Sequence, residues 1–223
     1  MTGAPRRHVL GASALHAKRA DAEHLLHELL RRVAEHPATG GAARLTGCTH
    51  LVGEPWRHEA VSVLVEAADG FPGAELVESL AEPAEIAVVL LDASAGTAAA
   101  DVTAAAGAGL PPLWRHGAPR LLPAATEAAT AHATGSGGRA VVFPGQDALP
   151  DEVTVTRLLA ETGIDVVRST HGRYAQDAVV VAGGFLRPQY SGGKLVLQVG
   201  HADPTRLMPW EVRNPTPCCG GDH

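Results

Sequence analysis

The sequence predicts an α/β fold, in which helices flank a mostly parallel sheet and an antiparallel hairpin lies near the C-terminus. Three observations predict it. The continuously apolar, β-branched run at 86–91 is typical of a strand covered on both faces. A strand–helix–strand pattern over 140–167 indicates a βαβ unit with parallel strands. Two apolar runs, at 179–186 and 194–199, are joined through Ser191-Gly192-Gly193, which favours a hairpin that completes the sheet.

The first predicted helix runs from about Lys18 to His36. Its apolar residues recur at helical spacing: Ala22, Leu25, Leu26, Leu29, Leu30 and Val33. Pro37 and the Gly40-Gly41 pair end it. The opposite side is rich in histidine and charged residues, and we expect it to be a solvated face.

The remaining elements are assigned in chain order from periodicity and turn residues. They are strands at 45–52, 61–67 and 86–91, helices at 74–80 and 97–106, a loop at 107–117, a helix at 119–133, a Gly-rich linker at 135–138, a strand at 140–143, a helix at 151–161 and a strand at 164–167. At 223 residues the chain is long enough for one sizeable core. We therefore expect a single α/β domain over 1–203, followed by a Pro-rich arm over 204–223 that ends in a Cys-Cys tail.

Composition excludes several classes of partner. The formal charge of −6 argues against binding to a phosphate backbone, and the aromatic fraction of 4% leaves few platforms on which bases could stack, so we expect no nucleic acid. No apolar run approaches the roughly eighteen residues of a membrane-spanning helix. Neither a G-x-G-x-x-G turn nor a Walker motif is present, so no nucleotide cofactor is indicated. A small molecule or a metal ion remains as the expected partner, and the sequence leaves the oligomeric state open.

The N-terminal segment bears on localisation. Arg6-Arg7 followed by the apolar residues 9–15 has the look of a twin-arginine export signal, but His16 and Lys18 interrupt the apolar stretch. Three cysteines, two of them adjacent, do not make a disulfide framework. We therefore expect a cytoplasmic protein.

Thiols and imidazoles occur together at two places in the chain. Cys48 and His50 form a Cys-x-His pair, and the C-terminal tail carries Cys218, Cys219 and His223. Thiolate and imidazole are ligands of zinc and of other soft or borderline divalent metals. The leading hypothesis is a metal-binding protein, either a binding protein alone or a metalloenzyme, in which the tail folds back to complete a site at Cys48 and His50.

Two short resemblances concern the same cysteines. Residues Gly47-Cys48-Thr49-His50-Leu51 resemble the second cysteine signature of the aspartate/glutamate racemase family, which implies a two-base mechanism with a second cysteine facing Cys48. The flanking residues Val52 and Glu54 depart from that signature. The terminal Cys218-Cys219-Gly220 resembles the metal-transfer tail of mercuric reductases over three residues, which implies metal chemistry at the tail.

The alternative hypothesis is a cytoplasmic enzyme that acts on a small molecule as a hydrolase, lyase or isomerase. Asp92, Asp147 and His171 each follow a predicted strand. The carboxyl ends of neighbouring parallel strands share one crevice, where two carboxylates and an imidazole could carry out acid/base catalysis. A further option makes a tail cysteine a nucleophile, with His171 as its base and Asp177 orienting that base.

Overall fold

Four α-helices and twelve strands make up the described part of this computed structural model, which covers residues 6–36, 44–53, 57–67, 73–81, 85–94, 110–170, 172–175, 177–203 and 205–213. The helices are α1 (Arg19–Glu35), α2 (Gly73–Ala81), α3 (Leu122–Thr134) and α4 (Val155–Glu161). The strands are β1 (Arg6–His16), β2 (Arg44–Val52), β3 (His58–Ala67), β4 (Ala87–Asp92), β5 (Pro112–Gly117), β6 (Arg139–Val142), β7 (Glu152–Thr154), β8 (Val166–Ser169), β9 (Val179–Val181), β10 (Gln189–Ser191), β11 (Lys194–Asp203) and β12 (Arg206–Pro209). None of these helices has both the length and the apolarity needed to cross a bilayer.

The chain divides into two compact units. The first comprises Met1–Pro144 and Gln189–Leu195, and its strands lie in the order β5-β4-β1-β3-β2-β6-β10. The second comprises Gly145–Pro188 and Val196–His223, and it contains the order β11-β12-β9-β7, with β8 paired to β11. The expected boundary between a domain over 1–203 and a terminal arm stays a prediction.

Most strand pairs are antiparallel, so the predicted mostly parallel sheet is wrong. In the first unit β1 pairs antiparallel with β3 and β4, and β2 pairs antiparallel with β3 and β6. Among the described strands, parallel pairing joins only β8 to β11 and β9 to β12. The resulting architecture is a mixed, mainly antiparallel sheet with helices on its faces.

The apolar run at 86–91 shows why the strand direction was mispredicted. It corresponds to β4, whose Ala87, Val88, Val89, Leu90 and Leu91 are all buried, as expected for a strand covered on both faces. However, β4 pairs antiparallel with both β1 and β5. A continuous apolar run reports burial on two faces, and helices can cover both faces of an antiparallel sheet as well as of a parallel one.

The strands of the predicted βαβ unit and of the predicted C-terminal hairpin also pair with other strands than expected. Strand β6 pairs antiparallel with β2 and β10, whereas β8 pairs parallel with β11. Strand β9 pairs parallel with β12 and antiparallel with β7, and β11 pairs antiparallel with β12. The segment predicted as one helix at 151–161 forms β7 and then α4, and the predicted loop at 107–117 contains β5. The helix predicted at 97–106 lies outside the described residues.

Helices cover both faces of the sheet in the first unit. On one face, α1 and α2 pack against alternate residues of β1, β3 and β4. On the other face, Ala125 and Ala129 of α3 pack against Val9, Leu64 and Val89. Strand β1, which contains the Arg6-Arg7 pair, lies between β3 and β4. Its apolar residues 9–12 are buried because they meet a helix on each side.

Helix α1 provides a direct test of the first of these two core layers. Leu26 is fully buried and belongs to the cluster formed by α1, α2 and the sheet. The Leu26→Ala variant is expected to lower the free energy of unfolding by about 3 to 5 kcal/mol, because it removes buried apolar contacts and leaves a cavity. Chemical denaturation measures this change. Leu113→Ala, the same substitution on β5 where the side chain is 51% exposed, is the control and should cost much less. Equal losses in the two variants would contradict the assigned core.

Candidate metal centre

Three of the side chains in the candidate site come from neighbouring strands. Cys48 and His50 are two residues apart on β2 and therefore point to the same face of the sheet. Ser62, on β3, is the register partner of Cys48. This is the face that α3 covers, since Ala124 and Ala128 pack against Val52 and Ala60 in the same layer. All three polar side chains are buried beneath that helix.

The fourth side chain is His132, in the last turn of α3. The helix ends at Gly135, which has φ +62° and donates its N–H to the carbonyl of His132, while Ser136 donates to the carbonyl of Ala131. This is a Schellman motif, which requires a left-handed residue and so favours glycine. The termination leaves His132 within the last turn of the helix, where its side chain is 2% exposed.

Small residues let α3 approach the sheet closely. Register pairing places Gly11, Ser62, Cys48 and Ala140 in one row across β1, β3, β2 and β6. A Cβ added to Gly11 would lie 2.1 Å from the carbonyl oxygen of Ala125 and 2.8 Å from Cβ of Ala129. The helix backbone therefore lies almost directly on this row, which brings His132 within reach of the strand residues.

A chain of contacts links the four side chains. Sγ of Cys48 lies 3.8 Å from Nε2 of His132. The hydroxyl of Ser62 lies 2.7 Å from Nδ1 of His132 and 2.7 Å from Nε2 of His50. Each of Cys48, His50 and His132 offers a ligating atom within 4.8 Å of the other two. The structure thus contains a buried Cys-His-His cluster that could hold a metal ion.

Burial keeps all three ligating groups neutral at neutral pH. It raises the pKa of the Cys48 thiol, an effect that Arg139 opposes. It lowers the pKa of His50 to about 4. The pKa of His132 is lowered well below its usual value, first by burial and then by the charges of His50 and Arg7. Neutral imidazoles have a lone pair available for a metal, and a bound cation would favour the thiolate of Cys48.

The site residues predicted from the sequence lie in different parts of the chain. The structure brings Cys48 and His50 together, in β2. The tail residues Cys218, Cys219 and His223 lie outside the described residues, as does His171. Asp92 ends β4 in the first unit, is exposed, and accepts a hydrogen bond from the backbone N–H of Ser94 at 2.8 Å.

Asp147 is exposed in a short 3₁₀ helix, Gln146–Ala148, of the second unit. The expected convergence of Asp92 and Asp147 depended on adjacent parallel strands, and β4 has only antiparallel pairing to β1 and β5. The catalytic roles of Asp92 and Asp147 therefore remain predictions that strand pairing does not support.

Sequence reasoning missed His132 and Ser62. A signal for the histidine was present, because His132 continues the spacing of the small residues Ala125, Ala128 and Ala129 on the buried face of α3. A histidine in line with the apolar face of a helix points inward, where it needs polar partners. Ser62 gave no comparable signal, since its role comes from the register between β2 and β3.

A cavity of about 430 Å³ adjoins the cluster within the first unit. His50 contributes to its wall, together with Gly138 and Tyr190. The ring of Tyr190 also lies 5.1 Å from that of His132, centroid to centroid. The imidazole of His50 therefore borders a space that a small molecule or water could occupy, whereas Cys48 and His132 are not part of its lining.

The backbone of Gly138 lies close to the ring of His50. Its φ is +118°, and an added Cβ would lie 2.6 Å from Cε1 of His50. The Gly138→Ala variant is therefore expected to lose about 2 kcal/mol or more of stability, from backbone strain together with displacement of His50. Thermal unfolding measures the loss. Gly172→Ala is the control, because Gly172 has φ +100° and its added Cβ would meet nothing within 4 Å. An equal loss in the control would show that the contact with His50 contributes nothing.

Comparison with known proteins assigns this chain to no family. No protein-family profile matches the sequence, and neither a curated protein nor a solved structure is similar to it. The arrangement of its own side chains is therefore the basis on which function is argued.

Proposed function

We propose that the protein binds a soft or borderline metal ion, with zinc as the reference case, through Cys48, His50 and His132. The observation that carries the proposal is the convergence of three buried ligating atoms within 4.8 Å of one another. A tetrahedral zinc ion with bonds of about 2.0 to 2.3 Å sets its ligands roughly 3.3 to 3.8 Å apart. The Cys48–His132 contact of 3.8 Å is already at that spacing. His50 would join the site by exchanging the 2.7 Å contact between its Nε2 and Oγ of Ser62 for a bond to the metal.

Ser62 fits the role of an outer partner that orients a ligand. When Nε2 of His132 faces the metal, the proton of that imidazole lies on Nδ1, and Nδ1–H donates to Oγ of Ser62 across 2.7 Å. Ligating histidines usually donate their second N–H in this way, which fixes the tautomer and the ring orientation. Ser62 is fully buried and is fixed by the register of two central strands.

Three protein ligands leave one tetrahedral position for another group. In zinc enzymes that position holds water or substrate, whereas purely structural zinc sites have four protein ligands. His50 borders the cavity, so a water or small molecule could supply the fourth ligand from that side. The tail residues Cys218, Cys219 and His223 are the alternative source predicted from the sequence. A water or small molecule as the fourth ligand corresponds to a metalloenzyme. A tail residue as the fourth ligand corresponds to a closed binding site.

Cobalt substitution tests the proposal, because tetrahedral Co²⁺ with a thiolate ligand has strong d–d bands and a thiolate charge-transfer band. The experiment uses the full chain with Cys218→Ser and Cys219→Ser, in which Cys48 is the remaining cysteine. We expect one equivalent of Co²⁺ to produce both bands and Zn²⁺ to displace it. Cys48→Ala in this background should abolish the charge-transfer band, and His132→Gln should weaken binding by at least about tenfold.

His27→Gln is the matched control, because it removes an imidazole from the exposed side of α1. Circular dichroism together with cooperative urea unfolding, at a stability equal to that of the unmodified protein, establishes that each variant is natively folded. If the folded double-serine protein gives no cobalt spectrum, the proposed site is wrong. Repeating the titration with both tail cysteines present then separates the two sources of the fourth ligand, since a second thiolate roughly doubles the intensity of the charge-transfer band.

A further inference from the structure

The cavity beside the cluster contains buried charges of both signs. Arg139 of β6 and Glu59 of β3 line it, and their side chains are 9% and 8% exposed. Buried charges are costly unless they are paired. Arg139 pairs with Glu23 at 2.7 Å, and Glu59 pairs with Arg19 at 3.3 Å. Apolar residues can often replace such buried pairs without loss of stability, so these two charges point to a role beyond folding.

The sheet fixes the spacing of these two charges. Strands β6 and β3 flank β2, and Arg139 pairs with Thr49 while Glu59 pairs with Leu51. Thr49 and Leu51 are two residues apart, so Arg139 and Glu59 emerge on the same face of the sheet. Their strands are about 10 Å apart across β2, and the two-residue offset adds about 7 Å along the strands, so the two Cα atoms are about 12 Å apart. The wall therefore presents one cation and one anion to the same face, at a separation that a short chain molecule can bridge.

The two counter-ions both come from the first turns of α1. Arg19 and Glu23 are four residues apart and so lie on one side of the helix. Each is more exposed than its partner, with side-chain exposures of 51% for Arg19 and 24% for Glu23. Arg19 and Glu23 are therefore the members that a ligand from solvent could replace, provided that the ligand gives each buried charge a new partner of opposite sign. The buried members would remain in place during such an exchange.

We propose that this cavity binds a small zwitterion that carries a carboxylate and an amine. The carboxylate of the ligand takes the place of Glu23 on Arg139, and its ammonium group takes the place of Arg19 on Glu59. The guanidinium of Arg139 can hold a carboxylate through two parallel N–H···O bonds, and Thr49 lies 3.5 Å from the same guanidinium. The volume of about 430 Å³ accommodates a molecule of this size. The proposal is independent of the metal.

Calorimetric titration with ω-amino acids tests the proposal. The probe is 6-aminohexanoate, and hexanoate and hexylamine are the controls that each carry one of its two charges. We expect the zwitterion to bind at least tenfold more tightly than either control, in EDTA-treated protein and in the Cys48→Ala variant alike. Failure of metal binding therefore leaves this result unchanged, and failure of zwitterion binding leaves the cobalt experiment unchanged.

Variants distinguish a binding role from a structural one. Glu59→Gln should weaken binding of 6-aminohexanoate at least tenfold, whereas Glu66→Gln, on the same strand but outside the cavity wall, should not change it. Glu23→Gln should tighten binding several-fold, because the ligand no longer displaces an ion pair. Arg19→Gln, which breaks the more exposed of the two ion pairs, should also tighten binding of 6-aminohexanoate several-fold. This variant replaces Glu23→Gln in the test if Glu23→Gln does not fold. Equal binding of zwitterion and controls, or weaker binding in a folded Glu23→Gln or Arg19→Gln protein, would overturn the proposal.

Discussion

The Gly11→Ala variant is expected to lose at least about 3 kcal/mol of stability, although it adds only one methyl group. The added Cβ would meet the carbonyl oxygen of Ala125 at 2.1 Å and the backbone nitrogen of Ala129 at 3.0 Å. These are atoms of the α3 backbone, which cannot rotate out of the way as a side chain can. The helix must therefore shift away from the sheet, at a cost at or above the upper end of ordinary overpacking.

Urea unfolding of Gly11→Ala measures this loss, and Gly47→Ala is the matched control. Gly47 lies on β2, and its added Cβ would meet only side-chain carbons of Leu26 and Leu30 at 3.0 Å or more. Those side chains can adjust, so we expect a much smaller effect. His132 lies three residues beyond Ala129 on the displaced helix, so Gly11→Ala should also weaken the cobalt spectrum. A Gly11→Ala protein as stable as Gly47→Ala would refute the close approach of α3.

Acidification is expected to destabilise the metal-free protein by about 2 kcal/mol between pH 7 and 5 through His50 alone. The pKa of His50 is about 4 in the folded protein and 6.5 in an exposed imidazole. Between these values the unfolded chain binds a proton that the folded chain does not, so unfolding takes up a proton and becomes easier as the pH falls. His132 and His8, whose pKa values are also lowered first by burial, act in the same direction.

Denaturation at pH 7, 6 and 5 in the presence of EDTA measures this dependence. His50→Gln should flatten it, because the variant has no imidazole at that position to protonate on unfolding. His27→Gln controls for the loss of a histidine on an exposed surface. Saturation with Zn²⁺ should steepen the pH dependence, since the metal binds only the folded form and protons compete for its ligands. An identical pH dependence in His50→Gln and in the unmodified protein would contradict the burial of His50.

Local patterns predicted most of the element types in the first unit but not their arrangement. The helix expected at about 18–36 is α1, and the run at 86–91 is β4, because spacing and apolarity depend on which faces are buried. Strand direction depends on distant partners. Nothing near Ala140 or Val167 specifies that β6 joins β2 while β8 joins β11. The N-terminal strand was missed because Arg6-Arg7 and an interrupted apolar run are also typical of an export signal.

Two of the three residues in the buried Cys-His-His cluster could be predicted from the sequence. Cys48 and His50 are two residues apart in a strand, a spacing that places both on one face and is visible in a single sequence. His132 is 84 residues from Cys48 and reaches it through the packing of α3. Its position follows from the close approach at Gly11 and the termination at Gly135, which are tertiary features. Cys218 and Cys219 were predicted as ligands because two adjacent thiols are typical of metal-binding tails. Adjacency in the sequence carries no information about where these residues lie in the fold.

If the protein binds metal as we propose, the register between β2 and β3 makes that binding a reporter of correct strand alignment. Cys48 lies opposite Ser62, and His50 lies opposite Ala60. A slip of β2 by one residue would turn Cys48 and His50 toward α1 and replace them beneath α3 with Gly47 and Thr49. A chain misaligned in this way could keep its strands and helices yet have no thiolate beside His132. The cobalt spectrum would therefore distinguish natively aligned molecules from compact, misregistered ones that circular dichroism cannot separate.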